Sequence, residues 1–216
     1  MPVRVKICGL KTADAMQSAL AARADLVGLV LFPPSPRNVG FSEAARLAGL
    51  ARGRAEIVAL TVDADDALLE RIMAEVAPDM IQVHGNESPE RVAAVRRRWG
   101  KPVMKAIKVA TRDDAKLALA YKDIADLILF DAKPPKGADR PGGHGTAFDW
   151  RLLDDVRHEV PFMLSGGLTA GNVAEAIVAT GATAVDISSG VETAPGVKSP
   201  ELIRQFILAA HRAPNR

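Results

Sequence analysis

Two residues in this sequence have the type and placement for proton transfer. Cys8, the only cysteine, closes the run Val3-Arg4-Val5-Lys6-Ile7, and Asp131 closes Leu127-Ile128-Leu129-Phe130. A thiolate is a base or a nucleophile, and a carboxyl group that ends an apolar strand is a candidate general acid. Side chains alternate along a strand, so Val3, Val5 and Ile7 share one face while Arg4, Lys6 and Cys8 share the other. Lys6 then lies one pleat below Cys8, where its charge is expected to draw the thiol pKa from about 8.5 toward neutrality. Plainer readings stand beside these. A lone cysteine is commonly a small buried hydrophobe, Lys6 reads equally as a satisfied interior charge, and Asp131 as a loop cap or the partner of Lys133.

Other residues have the chemistry of anion binding. Ser165-Gly166-Gly167-Leu168 and Asp186-Ile187-Ser188-Ser189-Gly190 each end an apolar run. Glycines let backbone N–H groups approach an anion, and hydroxyls with a helix N-terminus complete a phosphate cradle. Arg37, in Ser35-Pro36-Arg37, is a candidate carboxylate reader because a guanidinium meets a planar anion with two parallel bonds. His84, in Gln82-Val83-His84-Gly85, reads as a site residue or, more simply, as a satisfied rim histidine. His144, His158 and His211 show no ligand spacing, and no Gly-x-Gly-x-x-Gly fingerprint occurs, so neither a metal nor another cofactor is expected.

The elements that must position these groups alternate along the whole chain. Apolar runs at 3–7, 26–32, 57–62, 80–83, 103–109, 127–130, 160–164 and 184–187 read as strands. Stretches at 13–22, 42–51, 66–76, 89–99, 112–121, 150–156, 170–179 and 200–211 read as helices, with Thr12, Ser42 and Ser88 as N-caps. Strand ends at Cys8, Phe32, Val62, His84, Lys108, Asp131, Gly166 and Ser188 recur every 22–35 residues, the length of a βα unit. Eight such units close into a (β/α)₈ TIM barrel or lay out as an open doubly wound sheet. No strand has the character of an edge, which favours the barrel. Residues 1–216 then form one domain near the minimum size for that fold. The stretch 132–147, rich in glycine and proline, follows strand 6 on the face where barrel enzymes place their chemistry.

Composition narrows the function further. The chain is 48% apolar and 25% charged with a net charge of +2, which excludes disorder and a polyelectrolyte character. Arg96-Arg97-Arg98 is the only basic run, and few aromatic side chains are available for base stacking, so no nucleic-acid partner is expected. No apolar run reaches the length of a membrane span, and the single cysteine suits a reducing cytoplasm. A thiol and a carboxyl at the ends of non-adjacent strands 1 and 6, able to face each other across a substrate, with an arginine and a phosphate cradle, suit proton transfer on a small phosphorylated substrate.

Lys6-Ile7-Cys8-Gly9-Leu10, Gln82-Val83-His84-Gly85, Asp131-Ala132-Lys133, Ser165-Gly166-Gly167-Leu168 and Asp186-Ile187-Ser188-Ser189-Gly190-Val191-Glu192 occur in order on the expected strand ends. Together they resemble the phosphoribosylanthranilate isomerase family along essentially the whole chain. The resemblance implies an Amadori rearrangement in tryptophan biosynthesis by a monomer or homodimer. It implies Asp131 as general acid, Cys8 as general base, Arg37 on the anthranilate carboxylate, and Gly166, Gly167, Ser188, Ser189 and Gly190 on the phosphate. Asp186 and His84 would line the pocket. The sequence departs from the family pattern at His144, where a small hydroxyl residue is expected, and at Ser165, where alanine is commoner. A non-catalytic phosphate-binding barrel and another phosphosugar isomerase remain the alternatives; Cys8 argues against the histidine-pathway isomerase, in which a carboxylate is expected.

Overall fold

In the computed structural model, which describes residues 3–133 and 147–214, eight parallel strands close into a barrel in sequence order. They are β1 (Arg4–Cys8), β2 (Leu26–Val30), β3 (Glu56–Thr61), β4 (Met80–Val83), β5 (Val103–Val109), β6 (Leu127–Ala132), β7 (Phe162–Leu164) and β8 (Ala184–Ile187). β1 meets β8 with Lys6 opposite Asp186, so the sheet has no free edge. The helices α1 (Ala13–Ala21), α2 (Phe41–Ala51), α3 (Asp66–Glu75), α4 (Pro89–Trp99), α5 (Arg112–Lys116), α6 (Val173–Thr180) and α7 (Pro200–His211) accompany the strands. A short hairpin, β9 (Glu192–Ala194) with β10 (Val197–Lys198), follows β8. Among the described residues no helix is long and apolar enough to cross a membrane.

The alternation in β1 falls as its sequence predicts. Val3, Val5 and Ile7 pack in the large apolar shell between sheet and helices. Cys8 faces inward with Val30 and Leu60 near the carboxyl ends of the strands. Below them Leu26, Val58, Met104, Leu129 and Met163 fill the barrel. Full burial of each such side chain stabilises by about 1.5–3 kcal/mol, and both cores make the barrel a solid support for its rims.

Several expected boundaries move, each for a local reason. The stretch 150–156 is not an α-helix but a 3₁₀ turn, Trp150–Leu153, capped by Asp149. Seven residues with Asp154-Asp155 in the middle have too little packing to offset helix nucleation. α6 begins at Val173 rather than at 170, because Thr169 and Asn172 divert the backbone: Thr169 N donates to Asn172 Oδ1 at 2.8 Å, and Asn172 Nδ2 to the carbonyl of Gly167 at 3.0 Å. α5 tightens to 3₁₀ geometry over Leu117–Tyr121, where Leu117 and Leu119 stay exposed. α2 starts at Phe41 with Gly40, not Ser42, as its N-cap. β7 starts at Phe162, after Pro161, which has no N–H to donate. β2 and β3 end at Val30 and Thr61, which releases Phe32 and Val62 to the rim. Arg96, Arg97 and Arg98 are exposed on α4, and Arg96 pairs with Asp126 at 2.6 Å.

The amino-terminal rim carries a recurrence beyond the strand–helix alternation. Asp25, Asp79 and Asp126 open β2, β4 and β6, and each accepts the N–H of a residue in the preceding strand. The bonds run from Val5 at 2.8 Å, Ile57 at 2.8 Å and Val103 at 2.9 Å. Each aspartate N–H returns a bond to that same residue's carbonyl. Three successive odd-even strand pairs are thus clipped by the same reciprocal pattern.

Candidate active site

At the opposite rim the carboxyl ends of the strands surround a cavity of about 480 Å³. Cys8, His84, Asp131, Gly166, Gly167 and Asp186 line it, as do Arg37, Ser188, Ser189 and Gly190. All ten candidate site residues therefore meet in one place. His144 lies outside the described residues, as do Gly142, Gly143 and Gly145.

Cys8 is 4% exposed, and its neighbour across the sheet is Gly28. A Cβ on Gly28 would stand 2.8 Å from the Cys8 sulfur, so that glycine makes the room in which the thiol sits. The expected lowering of the thiol pKa by Lys6 does not occur. Burial pushes the Cys8 thiol up, and Asp186 adds to this, while Lys6 and Lys198 oppose it without prevailing. Burial is the largest cause, and Lys6 also has a carboxylate partner whose charge works against it: its Nζ donates to Asp186 Oδ1 at 2.8 Å, both groups buried. Burial alone would lower the Lys6 pKa, but Asp186 and Cys8 outweigh it and raise it to about 12. Lys6 is a fixed cation whose charge is largely offset. The other Asp186 oxygen accepts from the Ser165 hydroxyl at 3.0 Å, which gives the hydroxyl at this position a definite task.

Asp131 is 7% exposed at the end of β6 and stands opposite Lys108 in the ladder. Its Oδ1 accepts from the N–H of Ala132 at 2.9 Å, and its Oδ2 lies 3.4 Å from His84 Nε2. That approach is too poorly directed for a hydrogen bond, so His84 Nε2 is unpartnered among the described residues. Gln82 Nε2 stands 3.1 Å from His84 Nδ1; with the amide nitrogen donating, the ring proton sits on Nε2 and faces Asp131. Asp131 thus keeps an oxygen directed into the cavity.

The turns after β7 and β8 are glycine-built for steric reasons as well as for anion binding. Gly166 has φ +83, and a Cβ there would lie 2.3 Å from the N of Ala132. A Cβ on Gly190 would lie 2.2 Å from the carbonyl of Leu168. Among the described residues no group accepts the N–H of Gly166 or Gly167, and the 3₁₀ turn Ser189–Val191 has no side-chain cap at its start. No cluster of three His, Cys, Asp or Glu side chains suited to a metal occurs among the described residues.

Comparison with known proteins agrees with this arrangement. Residues 5–209 match the family described as N-(5'-phosphoribosyl)anthranilate (PRA) isomerase. The chain belongs to this isomerase family. A relative from Rhodopseudomonas palustris (strain BisA53), named N-(5'-phosphoribosyl)anthranilate isomerase, is 61% identical over 210 residues, 97% of this chain and 96% of its own. The crystal structure of phosphoribosyl anthranilate isomerase from Thermotoga maritima superimposes with a TM-score of 0.87 at 33% identity, covering 96% of this chain and 98% of that one. A further such isomerase structure, in complex with reduced 1-(o-carboxyphenylamino)-1-deoxyribulose 5-phosphate, has a TM-score of 0.84 at 32% identity over 96% of this chain and 98% of that one.

In this isomerase-family chain, the tertiary structure also brings in residues that the motifs left without a task. Glu192 accepts Arg37 Nε and Nη2 at 2.8 Å each, and Lys198 Nζ reaches Glu192 at 2.7 Å. Glu192 closes the Asp186–Glu192 motif without a role that its neighbours reveal, and Lys198 has no local signal; both lie on the hairpin beyond β8. Gly28 did have one: a glycine inside Leu26-Val27-Gly28-Leu29-Val30 signals a close approach to a strand.

Proposed function

We propose that the chain converts N-(5'-phosphoribosyl)anthranilate to 1-(2-carboxyphenylamino)-1-deoxyribulose 5-phosphate, with Asp131 as general acid and Cys8 as general base. The observation that carries the assignment is the shared cavity: a thiol and a carboxyl group face it together with two glycine turns suited to a phosphate. Asp131 gives its proton to the ribose ring oxygen. The C1–O bond breaks toward that oxygen, and the nitrogen lone pair forms the C1=N bond of a protonated Schiff base. The Cys8 thiolate then takes the proton from C2, and the released pair forms C1=C2 while neutralising the nitrogen. The resulting enolamine gains a proton at C1 and loses one from its hydroxyl to become the ketone.

The remaining residues hold the non-reacting ends. Arg37 takes the anthranilate carboxylate, the Gly166-Gly167 and Ser188-Ser189-Gly190 turns take the phosphate, and Asp186 and His84 line the sugar. Fixing both ends converts binding energy into orientation at the reacting carbons. Burial disfavours the Cys8 thiolate. Ring opening precedes proton removal because C2–H becomes acidic only beside the C1=N bond of the cationic Schiff base, and that same cation favours the thiolate that takes the proton.

Turnover is followed by loss of anthranilate-type fluorescence in the unaltered protein, Cys8→Ala and Asp131→Ala. Unaltered turnover in both variants would sink the acid and base roles. A chain that binds phosphate without turning over the substrate would be the scaffold alternative instead. The reading further places the enzyme in the cytoplasm as a monomer or homodimer, which cell fractionation and light scattering would check.

A further inference from the structure

We infer that Glu192, oriented by Lys198, is a positioning residue for Arg37 and makes the cavity selective for a substrate that carries a carboxylate on its aryl group. The inference rests on the isomerase reading and extends it to the hairpin β9–β10. An arginine stem has several rotatable bonds, so a guanidinium that reads one carboxylate must be held at both stem and head. Gly9 holds the stem: a Cβ there would stand 2.7 Å from Arg37 Cδ, so the arginine lies flat on bare backbone. The loop bearing Arg37 is pinned as well. Lys11 Nζ donates to the carbonyl of Pro36 at 2.8 Å, and Gly196 of the hairpin approaches that same carbonyl so closely that a Cβ would lie 2.5 Å away.

Glu192 holds the head. It occupies the Nε and Nη2 edge of the guanidinium with two parallel bonds. A guanidinium has a second fork, between Nη1 and Nη2, and among the described residues nothing occupies this end-on edge, which suits a planar anion. Glu192 is itself held, since Lys198 Nζ donates to Glu192 Oε1 at 2.7 Å and to the carbonyl of Ser188 at 2.8 Å. Arg37, Glu192 and Lys198 are all at least nine-tenths buried at their side chains. Two cations share one carboxylate, which leaves this buried cluster one negative charge short. A ligand carboxylate at the free fork supplies it, whereas a neutral arylamine would leave the excess cation unpaired at a cost.

The experiment is a double-mutant cycle on steady-state turnover of N-(5'-phosphoribosyl)anthranilate with Glu192→Gln, Arg37→Ala and the double variant. Glu192→Gln is expected to raise KM about tenfold while kcat changes less than about twofold, the pattern of lost uniform binding. In the Arg37→Ala background the same change is expected to raise KM no further, because Glu192 acts through Arg37. Lys198→Met, which removes both the cation that holds Glu192 and the excess charge, is expected to raise KM. An unchanged KM in Glu192→Gln, or its full effect persisting without Arg37, would overturn the inference. So would a Glu192→Gln variant that loses kcat and thermal stability together while Lys198→Met leaves KM unchanged. Absence of turnover in the unaltered protein would overturn the isomerase reading itself, a separate result.

Discussion

The two rims of the barrel use aspartate in opposite ways. At the amino-terminal rim Asp25, Asp79 and Asp126 accept hydrogen bonds from the backbone of the strand beside them. At the carboxyl-terminal rim Asp131 accepts, among the described residues, only its neighbour's N–H, and its other oxygen lies near His84 at the cavity. Asp186, which lines the same cavity, is engaged at both oxygens by Lys6 and Ser165. The difference is one of satisfaction. A carboxylate bonded to its own fold contributes stability; one left with a free oxygen in a partly dry cavity is available to a substrate. Conserving the fold and performing the chemistry therefore fall to opposite ends of the same strands.

That contrast can be broken most forcefully at Asp131. Asp131→Asn is expected to lower kcat/KM by about 10²–10⁴-fold, the usual worth of a general acid. Its urea midpoint should stay close to that of the unaltered protein. A large loss of stability without a loss of turnover would reverse the assignment of the rims.

The buried pair Lys105–Glu87 sharpens the contrast from the other side, because it lies near the carboxyl-terminal rim yet serves the fold. Lys105 Nζ meets Glu87 Oε2 at 2.7 Å and the carbonyl of Gly85 at 2.8 Å, and Glu87 Oε1 accepts the N–H groups of Asp63 and Gly85. Lys105→Met strands a buried carboxylate and is expected to cost about 3–5 kcal/mol in urea unfolding. Burial would raise the Glu87 pKa, but Lys105 and the backbone N–H groups of Asp63 and of Glu87 itself outweigh it and hold it below the ordinary carboxylate range. Its proton thus binds more tightly in the unfolded chain. The stabilisation from Glu87 is complete above the ordinary glutamate value and is lost as pH falls through the lowered folded one. Glu87→Gln is expected to remove that segment of the acid-unfolding curve.

A smaller effect is expected at Asp25. Asp25→Ala leaves the buried N–H of Val5 without its side-chain acceptor and should cost about 1–3 kcal/mol with kcat/KM unchanged. The thiol offers a test with no mutation. Because burial raises its pKa, alkylation of Cys8 by iodoacetamide in the ligand-free protein should rise with pH at a midpoint above that of free cysteine. A midpoint below it would show that Lys6 and Lys198 dominate. The smallest change is at Ala77, which has φ +48 in the turn into β4. Ala77→Gly relieves that left-handed conformation and should stabilise the protein by up to about 1 kcal/mol in thermal unfolding.

Much of this was legible without coordinates, and the failures are instructive. The eight strands could be read because β-branched runs and their spacing are local properties. The turns after β7 and β8 could be read because glycine pairs have few other uses there. Helix starts were less legible. Thr169 and Asn172 can cap or divert equally well, and only the fold shows that they delay α6 to Val173. The amino-terminal clips left a trace in Ala24-Asp25-Leu26, Pro78-Asp79-Met80 and Ala125-Asp126-Leu127, but a recurrence this short has no meaning until the strands are paired.

The sequence by itself determined the strand–helix order, the inward placement of Cys8 and Asp131, and the glycine turns, since each depends on residues close together in the chain. Tertiary structure alone decided which charges are free to act. Lys6 and Asp186 are 180 residues apart, and Arg37 and Glu192 are 155 apart, yet both pairs are in contact. Burial of Cys8, with Asp186 beside Lys6, outweighs the lowering that Lys6 exerts on the thiol. Local spacing can bring a cation beside a thiol; only closure of the barrel determines how deeply the thiol is buried and whether that cation already has a partner.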